Sequence, residues 1–170
     1  MNPPSLSNLK IRPATPDDWP TIVDFNSRLA FETEGKQLKS DVVQAGVQTL
    51  LNDATHGRYF VAEIDGRPVG QIMHTREWSD WRNGDFWWLQ SVYVHPDYRR
   101  QGIFRRLMQH VADLARATPG IVGLRLYMAN DNANARQTYE QCGFQFEHYV
   151  VLEQLLSAEH NLPRTSERKL

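Results

Sequence analysis

Val92-Tyr93-Val94-His95-Pro96-Asp97-Tyr98-Arg99-Arg100-Gln101-Gly102-Ile103-Phe104-Arg105-Arg106 runs from an apolar, β-branched segment through a proline turn into a basic helical one. The first-turn amides of such a helix have no carbonyl partners inside it, and the helix dipole makes that end positive. Gly102 lets backbone approach an anion closely, and Arg99, Arg100, Arg105 and Arg106 crowd the same end. A helix built only for stability would carry acidic residues there, so the cations point to a bound anion such as a diphosphate. Taken alone, the same residues also suit a solvated basic helix face.

Outward from this turn the pattern is regular. Asp85–Val94 reads as a long strand, and Gly102 to about Thr118 as a helix with Ile103, Leu107, Val111 and Leu114 on one face. Upstream, Leu9–Arg12 suits an edge strand before Pro13, and Thr15-Pro16 opens a helix expected to run to about Ala30. Phe31–Lys36 breaks it, and Ser40-Asp41 opens a second helix. Arg58–Ile64 and Pro68–Trp78 form a hairpin around Asp65-Gly66. Downstream come a strand at Val122–Met128, a helix at Asn132–Cys142 and a last strand at Phe144–Leu152. The order β-α-α-β-β-β-α-β-α-β predicts an antiparallel meander followed by a parallel crossover, a mixed α/β sheet flanked by helices.

The 170 residues suit one domain with its core over about 9–152 and a loosely held polar tail from 155 to 170. Hydrophobic residues make up 41% and charged residues 23%, an ordinary globular balance. A net charge of −1 gives no general affinity for nucleic acid or anionic membrane, so phosphate binding must be local. Cys142 is the only cysteine, which excludes an internal disulfide and fits a reducing cytoplasm. The first residues lack a signal-peptide pattern, and no apolar run approaches the roughly 20 residues of a membrane span.

Arg99-x-x-Gly102-x-Phe104 resembles the Arg/Gln-x-x-Gly-x-Gly/Ala signature of the GNAT superfamily of N-acetyltransferases. Asn132-x-x-Ala135-x-x-x-Tyr139-x-x-x-Gly143-Phe144 resembles the second signature of that superfamily, in the expected order. The resemblance implies the GNAT fold and acetyl-CoA as cosubstrate. It implies that the amides of Gln101, Gly102, Ile103, Phe104 and Arg105, with Arg99 and Arg100, take the pyrophosphate, and that the strand edge at Val92 and Val94 pairs with the pantetheine arm. It further implies that Asn132 and Ala135 lie against the cofactor and that Tyr139 donates a proton to the leaving thiolate. Asn132 and Tyr139 are seven residues apart, two helical turns, and so share a face. By themselves they would also suit a helix cap and a half-buried aromatic.

Two positions depart from the pattern. Phe104 stands where the superfamily has a small residue, and Gln90 stands in a strand where many relatives carry a glutamate base. Gln90 cannot accept a proton, so another group, a water relay or solvent must deprotonate the amine. Glu34 and Glu77 are the candidates for amine binding or water-mediated base work. Glu32 shares the segment of Glu34, and Glu77 opens Glu77–Trp88, which holds four of the five tryptophans. That segment offers stacking surface to a cationic amine, or ordinary core packing. His74 is read as structural, and Cys142 as a small buried residue. The expected acceptor is a primary amine on a small molecule or peptide, and a homodimer is compatible with the resemblance. A non-catalytic CoA-binding or sensing module of the same fold is the alternative. A kinase is disfavoured because no Gly-x-x-x-x-Gly-Lys-Ser/Thr loop occurs.

Overall fold

A computed structural model describes residues 8–129, 132–154 and 156. One five-stranded sheet carries the chain in the order β1-β2-β3-β4-β5. Lys10–Pro13 (β1), Gly57–Ile64 (β2), Arg67–Ser79 (β3) and Gly84–Val94 (β4) form the expected antiparallel meander. Ile121–Leu126 (β5) then lies parallel to β4. Pro13 is accommodated because β1 is an edge strand.

Helices cover both faces. Ile103–Ala117 (α3) lays Ile103, Leu107, Met108, Val111 and Ala115 on one face, against Phe60, Ile72, Trp87 and Leu89. Trp19–Glu34 (α1) and Ser40–Asn52 (α2) cover the other, around Ile22, Val47, Tyr59, Val61 and Met73. Ala133–Gln141 (α4) follows β5.

Four readings of the sequence are corrected. The chain begins its first helical segment as a 3-10 turn over Pro16–Asp18, because Asp18 closes back on Thr15 through its amide (2.7 Å) and hydroxyl (3.0 Å). Arg12 forks onto the same carboxylate at 2.8 and 2.9 Å; burial opposes charge there, but these bonds hold the carboxyl below its ordinary range. Next, α1 does not stop near Ala30. It continues through Phe31-Glu32-Thr33-Glu34 until Gly35, whose φ of 64° caps it, its amide donating to the Ala30 and Phe31 carbonyls. Glu32 and Glu34 thus stand on the last helical turn.

The third correction concerns Phe144–Leu152, which forms no strand. Its alternation suits one, but the chain is drawn to α4 instead. The Phe144 amide donates to the Tyr139 carbonyl (3.0 Å), and the Arg136 guanidinium covers the Phe146 ring at 4.0 Å. Finally, Cys142 is half-buried rather than buried. Most of the tail from 155 lies outside the described residues, and Leu156 is exposed.

His74 is structural, as read from the sequence. It is 3% exposed and stacks on Trp87 with ring centroids 3.9 Å apart. Burial pushes its pKa from 6.5 down to about 4. The unfolded chain therefore binds a proton below pH 6.5 that the folded chain refuses until about pH 4. The stability this contributes is present above pH 6.5 and is lost as pH falls through that window, by about 3 kcal/mol. Urea unfolding at pH 7 and pH 4.5 should show this loss, and His74→Phe should remove most of it. An unchanged pH slope in the variant would assign the acid sensitivity to other groups.

Candidate active site

The site is organised by a defect in β4. Gln71 pairs with Tyr93 and Met73 with Gln90, so one extra residue is accommodated on β4, where Ser91 takes a φ of 49°. The bulge is held from below. Gln71, fully buried, donates through Nε2 to the Ser91 carbonyl (3.2 Å) and to Asn26 Oδ1 (2.7 Å), while Asn26 donates to the Tyr59 hydroxyl (3.0 Å). Beyond it the two parallel strands separate. β5 pairs with β4 only from Asp85 to Leu89, so among the described residues Gln90–Val94 has no strand on that side. Val92 and Val94 lie in this opened stretch, where an extended ligand could add to the sheet.

The opened edge leads to the start of α3. Arg100 and Gly102 both have left-handed backbone, at φ 61° and 83°, and an arginine there is an uncommon outlier. The first amide bonded within the helix is that of Arg106, to the Gly102 carbonyl at 3.1 Å. The amides of Gly102, Ile103, Phe104 and Arg105 are therefore left at the positive end of the helix, and the alternating backbone gathers them into an anion nest. A Cβ on Gly102 would meet no protein atom within 4 Å, so the nest is open. These features fit a diphosphate.

The arginines divide the work differently from the sequence expectation. Arg99 turns away from the nest: its Nε donates to the Val94 carbonyl (2.8 Å), its Nη2 pairs with Glu32 (2.5 Å), and it lies over the Tyr93 ring. It clamps α1 to β4 rather than facing an anion. Tyr93 also donates to Glu32 (2.8 Å), and these partners hold the Glu32 carboxyl below its usual range although burial opposes it. Arg105 reaches α4, donating to Gln141 (3.1 Å). Gln101 donates back to the Asp97 carbonyl (3.3 Å) and steadies the turn. Arg100 and Arg106 make no ion pair among the described residues, which leaves them for a phosphate.

On α4, Asn132 is the helix cap, its Oδ1 accepting from the Ala135 amide at 2.9 Å. One carbonyl-type oxygen is thereby spent on the helix, leaving its amide nitrogen for a ligand. Tyr139 packs between Phe104 (5.8 Å) and Phe144 (5.9 Å), and burial raises its pKa above the ordinary 10. This places Phe104: the bulky ring leaves the anion path and lies against Tyr139, bridging α3 and α4. Phe104→Ala should therefore lower kcat several-fold by loosening Tyr139 while leaving acetyl-CoA binding nearly intact, because the backbone amide remains. Calorimetric titration beside steady-state kinetics would check it; a loss confined to cofactor binding would refute the bracing role.

On the opposite face a cavity of about 300 Å³ opens beside the bulge, lined by Asn26, Leu29, Ala30, Thr33, Glu34, Leu38, Val43 and Ser91. Glu34 is thus at a ligand-sized space, as its candidacy requires. Glu77 is not: its carboxylate is taken by Arg125 (2.6 Å) and by the Trp88 indole N–H. Glu34 is ion-paired as well, to Lys36 at 2.5 Å, so what separates the two candidates is that Glu34 lines this cavity and Glu77 does not. Gln90 donates to the Thr75 hydroxyl at 3.0 Å. The tryptophans divide too: Trp87 is core, Trp88 stacks on Tyr127 at 4.4 Å, and Trp78 and Trp81 are exposed. Ser91, Asn26 and Gln71 escaped the sequence reading. Their only local signal is a polar residue amid apolar ones, Asn26 beside Ile22, Phe25 and Leu29, and Gln71 inside a strand.

No helix among the described residues is long and apolar enough to cross a membrane. Residues 20–144 match the model of the acetyltransferase (GNAT) family. A thialysine N-epsilon-acetyltransferase of Caenorhabditis elegans is 31% identical over 138 residues, 79% of this chain and 82% of that protein. The protein of the same name from Bos taurus is 30% identical, covering 82% and 86%. The crystal structure of a possible acetyltransferase from Clostridium difficile 630 superposes with a TM-score of 0.84 at 45% identity, covering 89% of this chain and 99% of that one. The opened β4 edge, the amide nest and the helix bearing Tyr139 have their explanation in this kinship: the chain is an N-acetyltransferase and belongs to the acetyltransferase (GNAT) family.

Proposed function

We propose that the chain transfers the acetyl group of acetyl-CoA to the terminal side-chain amine of a small lysine-like molecule, by direct attack. The observation that carries this reading is the Gln90–Val94 edge, free of β5, with an amide nest at one end and a cavity at the Ser91 bulge. The similarity to enzymes named for the ε-amine of thialysine supports the acceptor class.

Acetyl-CoA supplies an acetyl thioester and a thiolate leaving group. The amides of Gly102–Arg105, with Arg100 and Arg106, take its diphosphate; Val92 and Val94 offer backbone to the pantetheine arm. The amine forms its bond to the carbonyl carbon as the carbon–sulfur bond breaks. Tyr139, kept protonated by its raised pKa, gives its proton to the departing sulfur and regains one from water. Gln90, steadied by Thr75, can accept an amine N–H but not the proton, which passes to water.

Thiol release on adding amines to the chain with acetyl-CoA tests this, alongside titration of acetyl-CoA alone. Amine-dependent release supports the reading. Tight binding without release from any amine would instead make the chain a CoA-binding module, and absence of binding would overturn both.

A further inference from the structure

The cavity is graded along its length. At the bulge it is polar, through Asn26 and Ser91; Leu29, Ala30, Leu38 and Val43 make it aliphatic; Thr33 and Glu34, two turns along α1 from Asn26, make it polar again, and Glu34 carries the only formal charge in its lining. Lys36 joins that charge from a neighbouring hollow of about 400 Å³ on the other side of Leu38, its ammonium 2.5 Å from Glu34 Oε2. The chain does not need this ion pair to end α1. Gly35 already does so, its amide bonded to Phe31 (3.0 Å) and that of Lys36 to Ala30 (3.2 Å). Arg28, the other cation of the hollow, is engaged by Asp24 at 2.8 Å. Glu32 is engaged by Arg99. Among the described residues, Glu34 and Lys36 form their ion pair with each other.

We infer that Glu34 and Lys36 read the zwitterionic head of an α-amino acid whose side-chain amine reaches the Ser91 bulge. This rests on the proposed acetyltransferase activity. The head's ammonium replaces Lys36 at the Glu34 carboxylate, and its carboxylate takes Lys36, so two charge-assisted pairs replace one. Methylenes of the side chain lie along Leu29, Ala30, Leu38 and Val43. A carboxylate alone at this rim would favour a diamine; the adjacent ammonium repels one. Specificity thus comes from a repulsive element as well as an attractive one.

The test compares L-lysine, cadaverine, which lacks the carboxylate, and 6-aminohexanoate, which lacks the α-amine. Thiol release gives kcat/KM for the native chain, Lys36→Met and Glu34→Gln, and melting temperature with acetyl-CoA titration verifies folding and the cofactor site. The native chain should prefer lysine over both truncated amines by about tenfold. Lys36→Met should lose about tenfold on lysine and 6-aminohexanoate while cadaverine gains; Glu34→Gln should lose on lysine and cadaverine while 6-aminohexanoate gains. Cadaverine equal to lysine on the native chain, or variants that change all three amines alike, would overturn this inference and leave the acetyltransferase reading standing. No release with any of the three, acetyl-CoA still binding, overturns both.

Discussion

Gly102→Glu should weaken acetyl-CoA binding by about a thousandfold, ~4 kcal/mol, the size of one unit-charge repulsion at about 4 Å in a partly screened site. Gly102 is the N-cap of α3 with a φ of 83°, and no protein atom lies where a side chain would begin. A glutamate there meets no clash with the protein, so the fold keeps its core; its carboxylate instead occupies the space offered to the diphosphate. Gly102→Ala separates the two contributions. It carries the same cost of left-handed backbone, about 1–2 kcal/mol, without the charge. Titration calorimetry on both variants should show a modest loss for alanine and a severe one for glutamate. Equal affinities for the glutamate variant and the native chain would remove the anion site from the start of α3.

Tyr139→Phe should lower kcat by about 10²–10⁴ while leaving acetyl-CoA affinity and melting temperature close to the native values. The ring, which packs on Phe104 and Phe144, is retained, and the hydroxyl makes no hydrogen bond among the described residues. Only the proton is removed. Because burial raises the phenol's pKa, the native enzyme should hold its activity on the alkaline side to above pH 10, and the variant should lose the limb that Tyr139 controls. Turnover and pH profile both unchanged would assign protonation of the leaving sulfur to water.

The contrast between Glu34 and Glu77 shows where sequence reasoning ends. Both are acidic candidates for amine binding or base work, Glu34 from the segment after the first helix and Glu77 from the start of the tryptophan-rich segment. Both carboxylates are ion-paired, Glu77 with Arg125 from the far side of β4, 48 positions away, and Glu34 with Lys36; of the two, Glu34 is the one that tertiary packing sets in the lining of a cavity. Phe104 is a similar case. A phenylalanine in a small-residue position is a departure with no local explanation, until α4 supplies Tyr139 as its neighbour.

The features legible in the chain before folding are local or periodic. Apolar spacing along α3, the Asp65-Gly66 hairpin, the parallel crossover and the glycine at a helix start follow from backbone sterics and burial of one face, forces that act within a few residues. The two signatures carried the family, because a helix N-terminus and a tyrosine two turns along another helix are themselves local devices. Tertiary structure alone decided what depends on partners distant in the chain. The Ser91 bulge stands because Asn26 and Gln71 meet beneath it; Arg99 leaves the anion for Glu32, 67 positions away; and Phe144–Leu152, alternating like a strand, remains unpaired because α4 draws it aside. Hydrogen bonds and ion pairs act over a few ångströms of space and without regard to separation in sequence, so the nest was legible before folding and the pairing of its surroundings was not.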